Sequence, residues 1–147
     1  MKQVTNLGAG LNNYTKADNT GGFMAKVLIV DDSPTELYQL SAMLEKHGHT
    51  VLTADNGADG VALCREEQPD AVLMDIVMPG LNGFQATRQL SKDGSTGHIP
   101  VIIVTTKDQE TDRVWGMRQG AKNYLTKPIK ENLLLETLNE VLSDVAA

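Results

Sequence analysis

From residue 25 onward, apolar and polar positions alternate in blocks with two distinct periods. Three short apolar runs stand out: Val27-Leu28-Ile29-Val30, Ala71-Val72-Leu73-Met74 and Val101-Ile102-Ile103-Val104. Runs this short, apolar at every position and bounded by polar residues, read as strands buried on both faces. The first ends in Asp31-Asp32, the second in Asp75 and the third in Thr105-Thr106. The pattern predicts strands at about Lys26 to Asp31, Thr50 to Ala54, Ala71 to Asp75, from Val101, and at about Lys122 to Leu125.

The intervening stretches carry helical spacing. Ser33-Pro34-Thr35-Glu36 reads as a helix start, with Ser at the N-cap, Pro at N1 and Glu at N3. Leu37, Leu40, Leu44 and His47 follow, and Gly48 supplies the stop. Asn56 is expected to cap a second helix with Ala58, Val61, Ala62 and Cys64 inward, ended by Gln68-Pro69. A third helix carries Phe84, Thr87 and Leu90 after the turn Met78-Pro79-Gly80-Leu81-Asn82-Gly83. Asp108 is the expected cap of a fourth helix, which has the weakest apolar face and includes Val114, Trp115 and Met117, with Trp115 half-buried. The fifth, about Lys130 to Asp144, places Leu134, Leu138, Val141 and Val145 on one face. Strand and helix in regular alternation predict an α/β fold, a doubly wound five-stranded parallel sheet. With strand order 2-1-3-4-5, the flavodoxin-like arrangement, the switch point lies between the first and third strands. Those are the strands that end in Asp31-Asp32 and in Asp75.

Residues 1–23 break the pattern: Gly, Asn and Thr dominate and no period is sustained, so a disordered leader or extension is expected, with the domain at 24–147. Gly8-Ala9-Gly10 follows no strand and lacks a third glycine, which argues against a nucleotide loop. The formal net charge of -6 argues against general nucleic-acid or anionic-membrane binding. The lone Cys64 excludes an internal disulfide. No apolar stretch approaches the roughly 20 residues of a membrane span, and a cytoplasmic protein is the default reading.

Carboxylates converging on one crevice repel each other unless a cation neutralises them or one is protonated. Hard oxygen donors suit Mg2+. His47, His49 and His98 lack zinc-ligand spacing. Lys127, after the last strand, can reach the same crevice, and Thr105 or Thr106 can offer a hydroxyl. Acids, hydroxyl and lysine around a metal describe phosphoryl-transfer chemistry, in which an aspartate can be the nucleophile.

The motifs Leu28-Ile29-Val30-Asp31-Asp32-Ser33, Leu73-Met74-Asp75-Ile76-Val77-Met78-Pro79-Gly80, Thr105 and Lys127-Pro128 resemble those of response-regulator receiver domains of two-component signalling (CheY-like), over about Met24 to Leu142. Residues 74–85 and 104–112 further resemble regulators of type IV pilus twitching motility. The resemblance implies Asp75 as phosphoacceptor, with Mg2+ held by Asp32, Asp75 and the Val77 carbonyl, and with Asp31 acting through water. It implies Lys127 on a phosphoryl oxygen, a cis bond between Lys127 and Pro128, and Thr105 and Tyr124 as a switch in which Tyr124 turns inward as Thr105 moves. A histidine kinase would be the phosphodonor, and a downstream protein would read the face of the fourth helix, fifth strand and fifth helix. The implied protein is a phosphoacceptor rather than an enzyme acting on other substrates, and one with no output domain after the fifth helix. A phosphorylation-independent binding module and a phosphate sink are the alternatives. A phosphohydrolase would carry a second acid two residues after the nucleophile, where this chain has Val77. In the resembled family, side chains two beyond the phosphoacceptor and two beyond the threonine, here Val77 and Lys107, tune attack by water. Apolar Val77 cannot orient a water, which implies a moderately long-lived phospho-form.

Overall fold

The computed structural model describes residues 24–146. The expectation of a leader at 1–23 lies outside them, as does the side chain of Val145. Strands β1 (Lys26–Val30), β2 (Thr50–Ala54), β3 (Ala71–Met74), β4 (Val101–Thr105) and β5 (Asn123–Thr126) form one parallel sheet in the order β2-β1-β3-β4-β5. Between and after them lie α1 (Pro34–Glu45), α2 (Gly57–Glu67), α3 (Gly83–Lys92), α4 (Glu110–Arg118) and α5 (Glu131–Ala146). The fold class is the one that the hydrophobic pattern implied, and the strand order is that of the flavodoxin-like arrangement expected for it.

Alternation along the strands divides the interior in two. Val27 and Ile29 of β1, Leu73 of β3 and Ile102 and Val104 of β4 pack with Leu40 and Leu44 of α1 and with Leu134, Leu138, Val141 and Leu142 of α5. Their neighbours Leu28, Val30, Val72, Met74 and Val101 pack on the other face with Val61 and Cys64 of α2 and with Ala86 and Leu90 of α3. Successive strand side chains point to opposite faces, so an unbroken apolar run is what a sheet covered on both sides requires. A third, smaller cluster of Ile76, Ile103, Ala121 and Tyr124 lies beneath α4, with Phe84 against it.

Local capping chemistry sets the helix starts. The Ser33 hydroxyl accepts the Glu36 N–H at 3.3 Å, and Asn56 accepts the Asp59 N–H at 2.8 Å. Asn82 and Gln85 form a reciprocal box at the start of α3, each backbone N–H donating to the other side chain at 2.9 Å.

Two expectations are corrected. Ala58 and Ala62 are exposed; the inward face of α2 is Gly57, Gly60, Val61 and Cys64. The helix approaches β1 so closely that a Cβ on Gly60 would stand 2.7 Å from a Val30 methyl. A hydrophobicity pattern gives glycine no such role. The cap of α4 is Gln109 rather than Asp108, because the Asp112 carboxylate accepts the Gln109 N–H at 3.3 Å. Trp115 is 49% exposed, half-buried as expected, and Gly116 is the one buried residue of α4.

Candidate functional site

The strand ends at the switch point are pinned by backbone bonds that extend the sheet past its strands. The Asp31 N–H donates to the Ala54 carbonyl at 3.1 Å, the Asp75 N–H to the Val30 carbonyl at 2.9 Å and the Lys127 N–H to the Thr105 carbonyl at 2.7 Å. These bonds fix where each side chain starts. Asp31, Asp32 and Asp75 then bring carboxylate oxygens within 4.8 Å of one another, with Asp31 and Asp75 buried and Asp32 exposed. Behind that cluster, Gly83 admits the start of α3 against the Asp75 backbone, since a Cβ there would collide with the Asp75 carbonyl oxygen.

Lys127 enters the same crevice. Its Nζ donates to Asp31 Oδ2 at 2.7 Å and stands 3.8 Å from Asp75 Oδ2. The other Asp31 oxygen accepts the Ser33 N–H at 3.0 Å, so both Asp31 oxygens have partners within the protein. Burial works against the Lys127 charge. The hydrogen bond to Asp31 and the charges of Asp75, Asp31 and Glu36 outweigh it and hold the lysine above its ordinary pKa. Asp75 is shifted upward too. Burial is the main cause and Asp31 adds to it, against the Lys127 charge, the Ile76 N–H and the Thr105 hydroxyl. That N–H reaches Asp75 Oδ1 at 2.8 Å.

Glu36 was assigned only a place in the first turn of α1, yet its carboxylate lies 3.7 Å from Lys127 Nζ. Its spacing from Ser33 carried the capping signal and hid this second neighbour. Of the two candidate hydroxyls, Thr105 is buried beside Asp75 and Thr106 is exposed. The bond between Lys127 and Pro128 is cis. The Val77 side chain is exposed.

Tyr124 is already inward. It is 2% exposed, and its hydroxyl donates to the Lys107 carbonyl at 2.8 Å. Burial, reinforced by Asp112, pushes its hydroxyl up to about 12.

Asp31, Asp32, Asp75 and the neighbouring Glu36 outnumber the one ammonium of Lys127, leaving an excess of negative charge that a divalent cation would offset. Carboxylate oxygens with one exposed member suit a hard ion that keeps part of its water, as Mg2+ does. On the donor set, the residues fit the ion.

Residues 27–139 match the family model described as the response regulator receiver domain. The chain is 75% identical over 120 residues to Protein PilH of Pseudomonas aeruginosa, covering 82% of this chain and 99% of that one. Among solved structures, the chemotaxis protein CheY4 of Vibrio cholerae is similar at 31% identity and a TM-score of 0.76, over 80% of this chain and 98% of that one. The receiver domain of a sensor histidine kinase from Pseudomonas aeruginosa, solved with a magnesium ion coordinated in its active-site cleft, is similar at 29% identity and a TM-score of 0.76 over 82% of this chain and 98% of that one.

Proposed function

The chain belongs to the response-regulator receiver family, and from that premise we propose that it is a phosphorylation-controlled switch that acts through protein–protein contacts. The observation that carries this reading is the crevice itself: three carboxylates within 4.8 Å of one another with Lys127 among them. The donor is a histidine kinase. An Asp75 carboxylate oxygen attacks the phosphorus, the bond to the kinase imidazole breaks, and the electron pair leaves with the ring nitrogen.

Each nearby residue has a part in that step. Asp32, Asp75 and the Val77 carbonyl would hold Mg2+, with Asp31 bound through water. The ion, when bound, neutralises charge that develops on the phosphoryl oxygens. Lys127 is charged and already 3.8 Å from Asp75 Oδ2, within reach of a phosphoryl oxygen. The Thr105 hydroxyl lies beside Asp75 and can donate to another. A neighbouring cation would oppose the upward shift of Asp75 and favour its nucleophilic, ionised form.

The pathway we propose is type IV pilus twitching or a chemotaxis-like system. The identity to Protein PilH and the run from Met74 to Gln85 support it. The partner would read the face of α4, β5 and α5. Among the described residues, no helix is long and apolar enough to cross a membrane. The alternative is a receiver that binds its partner without phosphate. Incubation with acetyl phosphate and Mg2+ separates the two. We expect one added phosphate by mass, absent in Asp75→Asn; an unmodified wild-type protein would remove the first reading and leave the second.

A further inference from the structure

Helix α4 is short and poorly anchored, yet it carries a glycine in its interior. Glycine there is unfavourable relative to alanine, so local helix propensity does not account for it. Space does. A Cβ on Gly116 would stand 2.7 Å from Ile103 Cδ1, 3.1 Å from Tyr124 Cδ2 and 3.3 Å from Tyr124 Cε2. Ile103 is wholly buried in β4 and has little room to retreat, whereas the tyrosine ring can leave by rotation about its own side chain. One turn earlier on the same helix, Arg113 lies over the Tyr124 ring, its guanidinium carbon 5.1 Å from the ring centroid. The same guanidinium donates to the Tyr124 carbonyl at 3.0 Å, so it holds both the ring and its backbone. The hydroxyl end is held separately, by the Lys107 carbonyl.

We propose that Gly116 and Arg113 are positioning residues that set the resting place of Tyr124. The absent Cβ opens the slot that the ring fills, and the arginine covers the ring, so Tyr124 stands inward before any phosphoryl group arrives. The consequence is regulatory. The helix that presents Trp115 on its outer side is locked to the tyrosine on its inner side, and the population of the inward state is set by α4 as well as by Asp75. This rests on the proposed role of Tyr124 as a switch, but the resting position is measured without phosphorylation.

The test labels the full chain with 3-fluorotyrosine and follows Tyr124 by fluorine NMR in the absence of any phosphodonor, with Tyr124→Phe assigning the signal. A soluble gadolinium chelate reports exposure, and Tyr38, which is 76% exposed, is the internal standard. The wild-type Tyr124 signal should be protected relative to Tyr38. Gly116→Ala and Arg113→Met should each raise its relaxation enhancement several-fold, with circular dichroism showing both variants folded. A wild-type Tyr124 as accessible as Tyr38 would overturn the proposal, as would a folded Gly116→Ala or Arg113→Met with the ring still protected. Should Gly116→Ala not fold, Arg113→Met decides alone. Failure of Asp75 to accept phosphate leaves these signals unchanged, so the two proposals fail separately.

Discussion

Strand β3 has an aspartate immediately before it and another immediately after it, and the two have opposite fates. Asp70 is pushed up to about 6, mainly by burial, and Asp75 is shifted upward for the same first reason. The neighbours differ. Asp70 accepts the Lys26 N–H at 2.8 Å, and the Lys26 carbonyl accepts the Asp70 N–H at 2.7 Å. That carboxylate closes the start of β1 against the start of β3. Asp75 also accepts one backbone N–H, from Ile76, but its other neighbours are the Thr105 hydroxyl, Asp31, Asp32 and Lys127. One residue type at two ends of one strand is structural where backbone donors satisfy it, and chemically available where like charges crowd it.

The sharpest way to break this comparison is phosphate incorporation. Asp75→Asn should abolish it and Asp70→Asn should leave it intact, measured by intact mass after acetyl phosphate treatment. Incorporation lost in both would put the two ends on one footing.

The supporting backbone comes next. Gly83→Ala should cost about 1–3 kcal/mol by overpacking against Asp75. Asp70→Ala, which strips the Lys26 N–H of its acceptor, should cost about 1–3 kcal/mol. Urea unfolding checks both, and only the first should also slow phosphorylation.

Divalent cations should separate the ends again. Mg2+ at about ten times its dissociation constant should stabilise the wild type by about 1.4 kcal/mol. Asp32→Asn should lose most of that gain and Asp70→Asn none, read from Tm.

The smallest effect concerns pH. The folded pKa of Asp70 lies above its unfolded value of 3.8, at about 6, so the folded state holds the proton more tightly. Its stabilising contribution is fully present below about pH 4 and is lost as pH rises through about 6. Asp75 has the same sign. Asp70→Asn should therefore stabilise the Mg2+-free protein at pH 7, by on the order of 1 kcal/mol, with the difference vanishing near pH 4, and Asp75→Asn should act in the same direction. Denaturant midpoints at the two pH values check it, and a difference that grows on acidification would contradict the assignment.

Local signals were legible. Ser33, Asn56 and the strand ends could be read from adjacent residues because caps and period-2 runs depend on neighbours within a turn. The inward face of α2 was misread because close approach, supplied by Gly57 and Gly60, leaves no hydrophobic mark. Asp70 passed unnoticed because its partner is a backbone N–H 44 residues away.

The amino-acid pattern alone determined the alternation of strands and helices and the acids and threonine that the strand ends carry. These follow from hydrophobic periodicity and turn chemistry, which act over a few residues. Tertiary structure decided what those residues meet. Asp31 and Lys127, 96 positions apart, stand 2.7 Å from each other, Glu36 joins them, and Tyr124 rests inward under Gly116. The physical reason is that charge pairing and ring packing depend on register and helix approach. These are settled only when both faces of the sheet are covered.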